Sequence, residues 1–243
     1  AGNGPCYSPI YPIKMDFDDI YYVNASPVNV WVNSTEIIFH VDICDSSSGV
    51  NGSSIYYAVV NVDNAGAIKW HSAGINYSAN IIPLDIELSL SEGENIVMLK
   101  ARDEVWHGHN KTVMYTIYVD ITPPEFIMPL PMNITVDNST VIDIGVMDAW
   151  SGLAKIEYCI DKGDWIVLGT YNGSYETHIT LNITAILNRN NITNTSGLYL
   201  RMSDIAGNMA YYGPITLIPS PHENVTQGIE DSDNDGWNDT IEI

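Results

Sequence analysis

The residues best suited to chemistry crowd into one short stretch, DSDNDGWNDTIE, over 231–242. Its carboxylates are Asp231, Asp233, Asp235, Asp239 and Glu242, the first, third, fifth, ninth and twelfth places counted from Asp231. Gly236 stands sixth, and Trp237 in the seventh place offers a backbone carbonyl. Calcium takes six to eight hard oxygens, and a chain with oxygens on alternate residues wraps one ion when a glycine allows the sharp turn. The expected cofactor is therefore calcium, held by Asp231, Asp233, Asp235, Trp237, Asp239 and Glu242. A lone loop of this kind should bind on the order of sub-millimolar to millimolar. With one residue given after Glu242, the loop is expected to act singly, without the second helix of an EF-hand.

Other constellations carry less. WHGHN sets His107 and His109 two apart, but no third zinc ligand accompanies them, so a solvated pair is the better reading. Glu157 with Asp161 is a carboxylate pair of the kind glycosidases use, yet thirty acids make such pairs unavoidable. Gly-X-Ser-X-Gly, His-Glu-X-X-His and phosphate-loop patterns are all missing, so no catalytic residue is assigned and the chain is not expected to be an enzyme. Trp70, Trp150 and Trp165 fall near strand ends, where they could stack on sugar rings or pack corners.

Bulk charge narrows the partners. Nine basic residues face thirty acidic ones, a formal charge of -21 with no basic cluster, which disfavours nucleic acid and anionic membrane surfaces. No apolar run approaches the roughly 20 residues of a membrane helix, so no membrane insertion is expected. The opening AGNGPCYSP has no methionine, basic stretch or apolar core, and reads as a mature N-terminus left by signal-peptide removal. Asn-X-Ser/Thr occurs at Asn24, Asn33, Asn51, Asn76, Asn110, Asn133, Asn138, Asn172, Asn182, Asn191, Asn194, Asn224 and Asn238. That density exceeds chance and points to a secreted, surface-exposed glycoprotein.

The elements that position these groups form a repeat. PVNVWVNSTEIIFHVDICD from Pro27 aligns with PMNITVDNSTVIDIGVMD from Pro131. Each reads as strand, Asn-Ser-Thr turn, then alternation: Ile37, Phe39, Val41, Ile43 and Ile142, Ile144, Val146. That is the period of a strand with one buried face. Ile55, Tyr57 and Val59 then match Ile156, Tyr158 and Ile160, and Asp103 and Asp204 fall at corresponding strand ends. About seven such segments per unit, separated by Gly, Asn, Asp, Pro and Ser, predict a β-sandwich. Helix should be nearly absent; the best candidate, LNITAILNRN, is short and rich in β-branched residues. Pro123 and Pro124 stiffen the link. The expected division is an N-terminal arm, 1–19, able to act as a donor strand; sandwiches over 20–122 and 123–219; and the acidic tail, 220–243.

DITPPEF, DAWSGLAKIEYCIDKGDW and LYLRMSDIAGN resemble the immunoglobulin-like repeats of bacterial and archaeal surface proteins and of modules attached to secreted enzymes. Those repeats open with Asp-X-Thr-Pro-Pro and close with Asp-X-Ala-Gly-Asn. The second unit matches over most of its length; the first departs, with DEVWHGHN at the closing corner and an inserted NVDNAGAI. The terminal acidic segment resembles EF-hand and thrombospondin type 3 loops. The resemblance implies an all-β fold of two tandem immunoglobulin-like β-sandwiches in an extracellular setting, and it carries no catalytic residues.

Of three cysteines, Cys44 and Cys159 fall out of phase with the buried alternation, on the polar strand faces, which rules out an inter-sheet pair. Cys6 with Cys44 is the preferred disulfide, roughly 3 to 4 kcal/mol in the chain-entropy model. Two functions fit. The first is a structural subunit of a glycosylated surface filament, sheath or adhesin, archaeal by resemblance and glycan density, assembling with itself by strand addition. The second is a non-catalytic spacer or binding module of a larger secreted hydrolase or adhesin, with a carbohydrate or cell-surface ligand.

Overall fold

The computed structural model describes residues 16–64, 66–105, 111–189 and 194–220. The first half runs β1 (Tyr21–Ser26), β2 (Trp31–Val32), β3 (Glu36–Cys44), β4 (Val50–Asn51), a single 3-10 turn at Gly52–Ser54, β5 (Tyr56–Asn61), β6 (His71–Ser72), β7 (Ser78–Ala79), β8 (Ile81–Ser89), β9 (Gly93–Ala101) and β10 (Lys111–Val119). The second half runs β11 (Glu125–Phe126), β12 (Asn133–Val136), β13 (Val141–Met147), β14 (Leu153–Ile160), β15 (Ile166–Ser174), β16 (Glu176–Asn182), α1 (Ile183–Arg189), β17 (Ser196–Asp204) and β18 (Met209–Pro219).

The halves repeat the same pair of sheets, and the first adds a short antiparallel β4-β7 pair. In the first, a three-stranded sheet ordered β1-β3-β8 accompanies a five-stranded sheet ordered β2-β10-β9-β5-β6; in the second the orders are β11-β13-β16 and β12-β18-β17-β14-β15. The chain thus enters each sandwich on one sheet, then crosses to pair parallel with the last strand of the other, Trp31 opposite Tyr118 and Ile134 opposite Leu217. All remaining pairs are antiparallel, the two-sheet order of immunoglobulin-like sandwiches.

Alternation explains both cores. Phe39, Val41 and Ile43 point inward from β3 and join Val97, Leu99 and Ile117 from the larger sheet. Ile144 and Val146 from β13 join Ile156, Leu198, Leu200 and Ile215 in a second cluster. Each fully buried aliphatic side chain contributes about 1.5–3 kcal/mol, so each half has its own source of stability.

Helix is nearly absent, as expected, and the best helix candidate holds α1, which Asn182 Oδ1 caps by accepting a hydrogen bond from the Ala185 N–H at 2.8 Å. Ile183, Ile186 and Leu187 then bury on one side, at the spacing of a helix face. The cysteines differ from expectation. Cys44 and Cys159 do stay out of the two core clusters, but both are buried rather than on open polar faces. Cys44 lies opposite Tyr21 of β1, and Cys159 lies beside the turn at Lys162. Burial, before any neighbouring charge, pushes both thiols above their ordinary pKa. Cys6, the expected partner of Cys44, lies outside the described residues.

Candidate functional site

Two groups of three aspartates occupy equivalent places in the two sandwiches: Asp16, Asp45 and Asp103 in the first, Asp120, Asp148 and Asp204 in the second. In each, one carboxylate oxygen per residue lies within 4.8 Å of the others. All six residues are buried, none more than 5% exposed.

Local sequence builds each position. Asp45 follows β3 and Asp148 follows β13, each continued by two residues and then Ser-Gly. Asp45 Oδ1 accepts from the N–H of Ser47 at 3.0 Å and Gly49 at 2.7 Å. Asp148 Oδ1 accepts from Trp150 at 3.1 Å and Gly152 at 2.6 Å. This Asx-type turn reverses the chain, and the glycine completes it at positive φ, 93° in Gly49 and 78° in Gly152. At Gly152 a Cβ would come 2.4 Å from the Gly173 carbonyl oxygen, so no side chain fits.

The segment leading into each sandwich supplies the second member. Asp16 accepts from the N–H of Asp18 at 3.0 Å and of Ser48 at 2.9 Å; Asp120 accepts from Thr122 at 2.9 Å and Ser151 at 3.0 Å. The third member closes the strand before the final hairpin. Asp103 bridges to Val50 just beyond β9, while Asp204 ends β17, and its carboxylate accepts from Gly207 N, Asn208 N and Asn208 Nδ2 at 2.7–2.8 Å.

These hydrogen bonds leave carboxylate oxygens of Asp45 and Asp148 unmatched. Asp45 Oδ2 and Asp148 Oδ2 are buried and accept no hydrogen bond among the described residues. No lysine, arginine or histidine ion pair among the described residues reaches Asp120, Asp148 or Asp204. Two unit charges about 4–5 Å apart repel by roughly 3–4 kcal/mol at an effective dielectric of 20. Burial pushes the Asp148 and Asp204 carboxyls above the ordinary range, and the charge of Asp120 pushes the same way. Backbone N–H donors offset this only in part. Glu157, also buried, is handled differently: Arg201 Nη2 at 2.6 Å and Lys155 Nζ at 3.0 Å neutralise it.

The second triad sits in the joint. Asp120 directly follows β10, and its N–H donates to Val32 O of the first sandwich at 3.0 Å. On the other side, Asn208 Nδ2 donates to the Asp120 carbonyl at 2.8 Å. Glu92 Oε1, in the β8–β9 turn, accepts from Ile121 N at 3.1 Å and Thr122 Oγ1 at 2.6 Å. The Trp150 ring packs over Gly93, 3.3 Å from where a Cβ would stand.

The expected calcium ligands Asp231, Asp233, Asp235, Trp237, Asp239 and Glu242 lie outside the described residues, as do His107 and His109. Of the glycosylation tripeptides, Asn24, Asn33, Asn76, Asn133, Asn138, Asn172, Asn182 and Asn194 are exposed and Asn51 is half-buried; Asn110, Asn191, Asn224 and Asn238 lie outside the described residues. Trp70 is covered by Lys100 Nζ at 4.0 Å from its ring centroid and Trp165 by the Arg201 guanidinium at 4.4 Å, which favours corner packing over sugar stacking. Asp161, the other half of the carboxylate pair with Glu157, accepts from the Gly197 N–H and shapes a turn. Sequence reasoning noticed Asp103 and Asp204 but not the triads. The readable signal was Asp-X-X-Ser-Gly recurring as DSSSG and DAWSG, each preceded by Asp16 or Asp120 at nearly the same interval.

The class this arrangement defines is a tandem immunoglobulin-like β-sandwich module. Similar solved structures include Sidekick-1 immunoglobulin domains 1–5, at 13% identity over 85% of this chain and 40% of that one, TM-score 0.47. The fibronectin(III)-like modules of CbhA from Clostridium thermocellum are similar at 11% identity over 83% and 94%, TM-score 0.33. Dimeric latent PorU from Porphyromonas gingivalis is similar at 12% identity over 87% and 21%, TM-score 0.35. No protein-family model matches the chain, and no curated protein matches it. Among the described residues no helix is long and apolar enough to cross a membrane.

Proposed function

We propose that the chain is a non-catalytic structural subunit of a secreted, glycosylated surface filament, sheath or adhesin of archaeal type, assembling with itself by β-strand addition. The observation that carries this reading is the set of long strands paired on one side only among the described residues. Within their sheets β8 pairs only with β3, β16 only with β13, and β15 only with β14. An unpaired edge presents a row of N–H and C=O groups, which an extended segment from another copy satisfies. The arm expected over 1–19 is the donor in this reading, through the part that precedes Asp16, and each added copy offers a fresh edge, so contacts propagate without closing. Exposed Asn-X-Ser/Thr sites carry glycans around the edges. The acidic tail binds calcium through Asp231, Asp233, Asp235, Trp237, Asp239 and Glu242, stiffening the end of the subunit.

Deleting residues 1–15 tests strand donation and leaves Asp16 in place. Electron microscopy of the deleted protein should show folded monomers where the full chain forms polymers; polymers that persist would reject it. A spacer or binding module within a larger secreted hydrolase or adhesin is favoured instead by the clamped joint, where Glu92 and Asn208 hold the linker from both sides. A mature product much larger than 26.9 kDa plus glycans would select that reading.

A further inference from the structure

We propose that the two aspartate triads are calcium sites, and that the one formed by Asp120, Asp148 and Asp204 locks the two sandwiches at a fixed angle when filled. This inference is independent of filament formation and of the acidic tail.

The geometry suits a large hard cation. Calcium–oxygen bonds run about 2.3–2.6 Å, so two ligand oxygens on opposite sides of one ion stand roughly 4.6–5.2 Å apart. The oxygens of each triad fit inside that span, all lying within 4.8 Å of one another. Every ligand atom is a carboxylate oxygen, with no thiolate or imidazole in either group, which selects calcium or magnesium over zinc or copper.

The unmatched oxygens point the same way. In Asp45 and Asp148, two backbone N–H groups hold Oδ1 and thereby fix the carboxylate plane. Oδ2 stays buried with no hydrogen bond among the described residues, an unfavourable arrangement for a charged group unless an ion binds there. The same unmatched atom appears at the same place in both sandwiches, which diverge elsewhere in loop length and sequence. A purely structural Asx turn needs only the Oδ1 contacts.

The joint site has a mechanical consequence. Asp120 is fixed to the first sandwich through β10 and its bond to Val32. Asp148 and Asp204 close β13 and β17 of the second. An ion bound to all three ties two rigid bodies at one point, beside the Glu92–Thr122 and Trp150–Gly93 contacts. Without the ion, three carboxylates repel across the hinge.

The test uses the full chain with Asp231→Asn, Asp233→Asn and Asp235→Asn, so that the tail makes no contribution. Calorimetric titration should then give two calcium equivalents. Asp45→Asn and Asp148→Asn should each weaken one by at least tenfold, and the double variant should lose both. Melting gives an opposed-sign check. In chelator, Asp148→Asn should melt at or above its parent, since it removes repulsion; in millimolar calcium it should melt below. No calcium binding, or equal destabilisation by Asp148→Asn in both conditions, would overturn the sites. Magnesium binding as tightly as calcium would overturn the choice of ion. For the lock, distances between spin labels placed one on each sandwich should narrow with calcium in Asp45→Asn but not in Asp148→Asn. Narrowing in both, or in neither, would overturn it.

Discussion

At the residue scale, the same acid is treated in two ways according to what is buried beside it. Glu157 is buried, which alone would raise its pKa, but Lys155 and Arg201 outweigh burial and hold the carboxyl below its ordinary value. A depressed folded-state pKa stabilises above the unfolded value, near 4.3–4.5, and that contribution is lost as pH falls through the folded pKa. Arg201→Met should therefore cost on the order of 2–4 kcal/mol near neutral pH. The deficit should shrink as pH falls through the lowered folded-state pKa of Glu157 and the carboxyl takes up its proton, as measured by urea denaturation across pH. Equal cost at both pH values would assign the loss to Arg201 packing over Trp165 instead. Glycine substitutions rank by the same close reading. Gly152→Ala combines positive φ with a backbone collision and should cost roughly 1–3 kcal/mol or more. Gly49→Ala, where a Cβ meets nothing nearer than 3.4 Å, should cost only the strain of its φ and so come out milder in parallel denaturation curves.

At the element scale, strands are legible and turns carry the surprises. Alternation at Phe39, Val41, Ile43 and at Ile144, Val146 marks the buried faces that the structure shows, because a strand's period of two exposes its facing directly in the sequence. Helix α1 falls on the stretch that the sequence marks as its best helix candidate, but seven residues make only about two turns, and one cap decides the matter. Asn182→Ala should cost about 1 kcal/mol by losing the cap, whereas Asn182→Asp keeps an acceptor and should cost much less. Thermal melts of the two variants check the order. Phe39→Ala, opening a cavity in the first core alone, should cost about 3–5 kcal/mol. Calorimetry should then show the first sandwich melting ahead of the second, because Phe39 touches none of the second cluster.

At the scale of the whole molecule, the joint matters most. The linker is short, and both sandwiches grip it: Glu92 holds Ile121 and Thr122, Ser151 holds the Asp120 carboxylate, and Asn208 holds the Asp120 carbonyl. Glu92→Ala should release one side without touching either core or any triad carboxylate. Small-angle scattering should show a wider spread of overall dimensions with no change in circular dichroism, whereas an unchanged profile would mean that Glu92 contributes little. Long strand edges unpaired among the described residues are what the proposed self-assembly by backbone pairing requires.

The all-β class and the repeated unit can be read from the chain alone, because facing is written in neighbours two residues apart and turns in Gly, Pro, Asn and Asp. Folding brings Asp16, Asp45 and Asp103 together, likewise Asp120, Asp148 and Asp204, and it covers two cysteines on outer strand faces. Those contacts join separate segments of the chain. Among thirty acidic residues an aspartate destined for a buried cluster has no local mark, since what sets it apart is the company that folding brings to it.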